Sequence, residues 1–175
     1  MVKFMFKVMV IGDKNVGETA LMKKFTHSTY QTLLAQFSAY DSIMDGNPVR
    51  LLFSNLAPPD RIYFVKIDYL YREANAAIIV YSLEDTELGK ESFSHISYWR
   101  EEMIKHNENI PIYLFANKVD LVDESKVDKE SIKQVVEQYN LKGYYLTSVI
   151  AGNGAIKAFN DICTDLYKES KNRII

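Results

Sequence analysis

The 175-residue chain is 47% hydrophobic, carries a formal net charge of −2 and holds one cysteine, Cys163. That length supports one well-buried domain over residues 1–175 and is too short for two ordinary ones, while the slight negative charge and the lack of a basic tract exclude a nucleic-acid partner. A lone cysteine forms no internal disulfide, no run reaches the roughly 18 apolar residues of a membrane span, and Lys3 and Lys7 interrupt the apolar amino terminus, so the expectation is a reducing cytosolic setting with no signal peptide and no direct membrane insertion.

Short apolar runs alternate with amphipathic stretches along the chain, the pattern of a parallel sheet covered by helices on both faces, and the fold class is α/β. "FKVMVIG" reads as a strand ending at Gly12. "TALMKKF" then places Leu21, Met22 and Phe25 on one helical face. "DGNP" (45–48) is a tight-turn signal that pairs "FSAYDSIM" with "VRLLFS" as the only antiparallel element. "AIIVYS" (77–82) and "PIYLFAN" (111–117) read as buried strands leading into polar loops. Helices are expected from about Glu91 to Lys105, with Phe93, Ile96, Trp99 and Met103 at helical spacing, from Lys129 to about Asn140, and from Ala155 to about Glu169. The last carries Ile156, Phe159, Ile162, Cys163 and Leu166 on its inward stripe, which makes Cys163 an inert core residue.

Chemistry concentrates in three loops. "GDKNVGET" (12–19) has the spacing of G-x-x-x-x-G-K-[ST], where glycines let backbone N–H groups turn towards phosphate oxygens, a lysine neutralises the β- and γ-phosphates, and a hydroxyl ligates magnesium. Gly12, Gly17 and Thr19 are kept, but Glu18 stands in the lysine position. "NKVD" (117–120) follows a strand. Its asparagine amide and aspartate carboxylate can read a purine edge, with Asp120 accepting from the ring N–H and exocyclic amine that guanine has and adenine lacks. "LTSVI" (146–150) follows another strand and is placed to offer backbone N–H groups to the guanine carbonyl.

These motifs, in this order, resemble the Ras superfamily of small GTPases, and "YLYREANAAIIVYS", "ESFSHISYWREEM" and "NKVDL" look most like the Rab branch. The resemblance covers essentially the whole chain. It implies a six-stranded, mostly parallel sheet with five helices, a magnesium-dependent GTP/GDP site, protein effectors or regulators as partners, and a role in vesicle traffic. The nucleotide-contacting set it implies is Asp13, Lys14, Asn15, Val16, Gly17, Glu18, Thr19 and Ala20 around the loop, Tyr30 beside the guanine ring, Asn117, Lys118 and Asp120, and Ser148, Val149 and Ile150. Thr19 and Thr32 are the implied metal ligands. Tyr30 has an equal alternative as a helix-end packing residue.

Departures from the family pattern cluster on the phosphate side. Besides Glu18, Asn55 replaces the acid that holds magnesium through water, Pro58 the glycine whose N–H meets the γ-phosphate, and Pro59 the glutamine that positions the attacking water. Asp60 is the one nearby acid to set in its place. Tyr30 and Thr32 lie only two apart, closer than in a Rab, and Ile150 replaces a lysine. Turning one attraction into repulsion at about 4 Å and an effective dielectric near 20 costs about 4 to 8 kcal/mol, or roughly three to six decades of affinity. A Glu18 side chain turned outward to Lys14 or Lys23 would relieve part of this. The alternative is that Glu18 is only an acid at a helix N-terminus.

Two functions from different classes follow. One is an atypical Rab-like protein with its guanine site kept, weak phosphate and magnesium holding, no catalytic residue and little or no GTP hydrolysis. The other is a nucleotide-free scaffold for protein partners, and a P-loop kinase is a distant third. The carboxyl-terminal "YKESKNRII" has no cysteine to carry a prenyl group, which leaves three alternatives: a truncated chain, half of a tandem protein, or recruitment to membranes through partners.

Overall fold

A computed structural model of the chain describes residues 4–32, 35–56, 71–152 and 154–172. One mixed sheet runs through it in the order β2-β3-β4-β1-β5-β6-β7, with β1 at Phe4–Gly12, β2 at His27–Gln31, β3 at Ala35–Met44, β4 at Asn47–Leu56, β5 at Ala76–Ser82, β6 at Ile112–Asn117 and β7 at Gly143–Thr147. The helices are α1 (Glu18–Phe25), α2 (Glu87–Ser94), α3 (Ile96–His106), α4 (Lys129–Gln138) and α5 (Ala155–Asn172). Strands β4, β1, β5, β6 and β7 are mutually parallel.

Every residue of β5 and β6 is buried, as continuous apolar runs must be when helices cover both faces. Side chains alternate between two cores. Val8, Val10, Ile78 and Val80 pack with Leu21 and Met22 of α1 and Phe159 and Ile162 of α5. On the other face, Met9, Ile11, Ile79 and Tyr81 pack with Ile96 and Met103 of α3 and Ile132 of α4. The Asp45–Gly46 turn has φ of 49° and 74°, the doubly left-handed form that matches the twist of a hairpin.

Three expectations are corrected. The sheet has seven strands among the described residues, because the chain after α1 runs extended from Thr26 and adds His27–Gln31 antiparallel to β3; the β3–β4 hairpin is therefore not the only antiparallel element. The helix expected over 91–105 is two, α2 and α3. Ser92 and Ser94 bond back to the carbonyls of Gly89 and Glu91 at 3.0 and 2.7 Å, which competes with the helical ladder just before the break at His95. Ile156 is 40% exposed rather than inward. Phe159, Ile162, Cys163 and Leu166 are buried, and burial pushes the Cys163 thiol up to about 12.

Candidate functional site

The carboxyl ends of β1, β5, β6 and β7 lie side by side, since Gly12 is opposite Val80, Ser82 opposite Asn117, and Asn117 opposite Thr147. In an open α/β sheet the crevice beyond such ends is where ligands bind. Asn117, fully buried, ties three of these ends together. Its Nδ2 donates to the Val16 carbonyl at 2.8 Å, and its Oδ1 accepts from the Thr147 hydroxyl at 3.0 Å. A Cβ on Gly17 would lie 2.4 Å from the Asn117 amide nitrogen, so the loop passes over β6 only because Gly17 has no side chain, and its φ of 104° is left-handed as well.

Beyond β6 the chain turns through Lys118, at φ 65°. Its ammonium lies 2.5 Å from Glu84 Oε2, and that contact, with the Ser82 hydroxyl, holds the Glu84 carboxyl below its ordinary range. Asp120 Oδ1 accepts from the Ser148 hydroxyl, whose oxygen in turn accepts from Ala151 N–H at 2.9 Å. Asp120 is exposed, and its second carboxylate oxygen has no hydrogen bond among the described residues. An oriented, solvent-facing carboxylate beside a buried amide is what a purine edge with two N–H donors requires. Ile150 is 78% exposed at the tip of the loop after β7.

The loop from Asp13 to Gly17 curls over the start of α1 with Asn15 and Gly17 both at positive φ, a backbone form that gathers N–H groups towards an anion. Glu18 does not turn outward. Its Oε1 lies 3.2 Å from where a Cβ on Gly12 would sit, and its own backbone N–H bonds the carboxylate. Burial raises the group to about 7, against that backbone bond and with help from the Asp13 charge. Asp13 is itself clamped from α3 and the residue before it. Trp99 Nε1–H donates to Oδ1 at 2.7 Å, and His95 Nδ1 lies 2.7 Å from Oδ2. Lys14, Asn15, Thr19 and Ala20 are exposed and Val16 is fully buried.

The family model described as Ras family matches residues 7–168, from within β1 to within α5. The chain belongs to the Ras family. It is 29% identical over 177 residues to Ras-related protein Rab-24 of Dictyostelium discoideum, covering 97% of this chain and 85% of that protein. Over 173 residues it is 30% identical to Ras-related protein Rab11A of Lotus japonicus, covering 95% and 74%. Over 176 residues it is 27% identical to GTP-binding protein ypt3 of Schizosaccharomyces pombe, covering 97% and 79%. It is thus a Rab-like member of the superfamily.

In this Rab-like chain the residues singled out at 12–20, 117–120 and 148–150 lie around one crevice and Tyr30 lies away from it, while Thr32 bonds Ala35, the neighbour of the Gln36 that pairs with Asn55. Tyr30 lies on edge strand β2, 67% exposed and opposite Phe37, and it is not at a helix end, since α1 stops at Phe25. Strands β2 and β6 are five positions apart in the sheet order, roughly 24 Å at about 4.8 Å per strand. The Thr32 hydroxyl is engaged at the β2–β3 connection, bonded to both the carbonyl and the N–H of Ala35 at 3.0 Å. Thr19 meets Asn55, whose Nδ2 donates to its Oγ1 at 3.1 Å, so an amide donor faces the hydroxyl where a carboxylate is needed to draw in a cation. Pro58, Pro59 and Asp60 lie outside the described residues. The supporting side chains His95, Trp99, Glu84 and Thr147 were not found from sequence; Thr147, next to Ser148 in "LTSVI", is the one that motif spacing points to.

Proposed function

We propose that this chain is an atypical Rab-like GTP-binding protein that keeps guanine recognition while holding phosphate and magnesium weakly and hydrolysing little or no GTP, and that it acts in vesicle traffic through protein partners. The observation that carries this reading is the contrast inside one crevice: Asn117, held by Val16 and Thr147, and Asp120, held by Ser148, are both oriented in a way suited to a guanine edge, whereas Glu18 puts a carboxyl over Gly12 where the loop needs a cation. Guanine is contacted by Asn117, Lys118, Asp120 and the 148–150 loop, and phosphate by the backbone of residues 13–20. Thr19 is the metal ligand that remains, with Thr32 held at Ala35. Binding of GTP is in keeping with the name of its relative, GTP-binding protein ypt3.

Denaturing the purified protein and chromatographing the supernatant tests the reading directly. Guanine nucleotide, or weak GDP binding by calorimetry that Asp120→Ala abolishes, is the expected result; stoichiometric ATP or ADP would overturn it. Absence of any nucleotide binding would favour the second reading, a nucleotide-free scaffold, which the Thr19–Asn55 bond and the inward Glu18 support.

A further inference from the structure

Asp13 opens the loop that curls over the start of α1, and its carboxylate is turned towards α3. Oδ1 takes the indole N–H of Trp99 and Oδ2 lies 2.7 Å from His95 Nδ1; a carboxylate only accepts, so Nδ1 is the donor. His95 caps the break between α2 and α3, and Trp99 follows one turn later, its backbone N–H bonded to the His95 carbonyl at 3.1 Å. Residues four apart share one helix face, which is how both donors reach the same carboxylate. The Asp13 side chain is 18% exposed against 51% for His95, so little water is at hand to replace either donor.

The hold matters because of what a released carboxylate does. Aspartate side chains readily bond backbone N–H groups two and three residues further along the chain. From Asp13 those are the N–H groups of Asn15 and Val16, inside the stretch where positive φ at Asn15 and Gly17 gathers N–H groups towards an anion. The Val16 N–H is tied only loosely, 3.4 Å from the Asp13 carbonyl, a bond that a carboxylate oxygen outcompetes. The loop therefore carries its own competitor for phosphate, and two side chains at the start of α3 hold that competitor off.

We propose that His95, together with Trp99, is a positioning residue for phosphate: it holds the Asp13 carboxylate against α3 and so keeps the N–H groups of Asn15 and Val16 free for the phosphate of a nucleotide. This role rests on the proposed use of the 13–20 backbone to hold phosphate. It leaves the base side, around Asn117 and Asp120, untouched.

Calorimetry with GDP and with guanosine on the full chain separates the two sides. His95→Ala should weaken GDP about fivefold, the worth of roughly one hydrogen bond, and leave guanosine within about twofold. His95→Asn puts an amide N–H where Nδ1 was, and it should keep most of the GDP affinity. Asp13→Asn added to His95→Ala removes the competing charge and should recover GDP binding, which a mere loss of packing would not allow. A second readout needs no nucleotide. In amide-resolved NMR of the ligand-free chain, His95→Ala should move the Asn15 and Val16 N–H resonances downfield as they bond the carboxylate, while His95→Asn leaves them near their wild-type positions. Trp99→Phe removes the other donor and should move the same two resonances, which keeps the test open if His95→Ala does not fold. Asn15 and Val16 resonances that stay in place, an equal loss for guanosine and GDP, or no recovery in the double variant would each overturn the proposal. Absence of all nucleotide binding while those resonances still move would overturn the guanine reading and uphold the clamp.

Discussion

The two sides of the crevice are built from the same sheet end, but they differ in what their polar side chains do. On the base side, Asn117 bonds Thr147 and Asp120 bonds Ser148, so that each is oriented and Asp120 is left with an open oxygen facing solvent. On the phosphate side, Glu18 bonds back onto its own loop, Thr19 accepts from an amide, and Thr32 is engaged at Ala35. One side is organised for a ligand. The other satisfies its polar groups within the protein, which is the arrangement that the proposed weak holding of phosphate and magnesium rests on. Gly12 and Gly17 stay indispensable because β5 and Asn117 press against them, whatever the loop binds.

The largest effect should come from the residue that serves both fold and ligand. Asn117→Ala leaves the Val16 carbonyl and the Thr147 hydroxyl without their partner in a buried setting, and at about 1 to 3 kcal/mol for each unsatisfied group the loss of stability is about 2 to 6 kcal/mol. Urea unfolding measures it. Asp120→Ala removes an exposed side chain and should cost about 1 kcal/mol or less, while removing guanine binding entirely. If the two substitutions destabilise equally, the base side is no more than structural.

Next comes Glu18. An acid whose folded-state value lies above its unfolded one takes up a proton on folding, so its ionisation works against the fold. The penalty is absent below the ordinary value of 4.5, grows as pH rises towards about 7, and is complete above that. Glu18→Gln should therefore be more stable than the wild type at pH 8 by up to roughly 3 kcal/mol, at about 1.4 kcal/mol per pH unit, and no more stable at pH 4. Thermal melts across that range check the sign. Glu18→Lys puts the missing cation at the loop and should tighten GDP binding by about tenfold or more in calorimetry; unchanged affinity with intact circular dichroism would mean that the loop no longer presents its N–H groups to phosphate.

Much of this contrast is legible in the sequence. The strands at 77–82 and 111–117 announced themselves as unbroken apolar runs, and "NKVD" placed Asn117 and Asp120 because short-range motifs keep their spacing. The identity of Glu18 was plain as well. Its direction was not, because outward pairing with a lysine and inward bonding to the loop are both open to a flexible side chain, and only packing against Gly12 decides between them. Strand β2 was missed for a related reason: "HSTYQ" has no apolar alternation, all five of its residues are exposed, and its partner β3 supplies the pairing from outside the local sequence. The Asp13–Trp99 and Asn117–Val16 bonds span 86 and 101 residues, beyond the reach of any motif.

The smallest expected effect is the most specific to the metal. Asn55 now donates to Thr19; an aspartate there would accept from the same hydroxyl and add a negative charge facing the phosphates. Asn55→Asp should for that reason bind GDP more weakly than the wild type when magnesium is chelated, since two anions then oppose each other. With magnesium present the order should reverse, because a carboxylate and a hydroxyl together suit an oxygen-seeking cation where an amide donor does not. The net tightening by magnesium is expected at about two- to threefold, the Thr32 hydroxyl being bonded to Ala35. The crossing of the two curves matters more than its size: a uniform loss of affinity with and without magnesium would show charge repulsion alone, and would trace the proposed weakness of magnesium binding to residues other than Asn55.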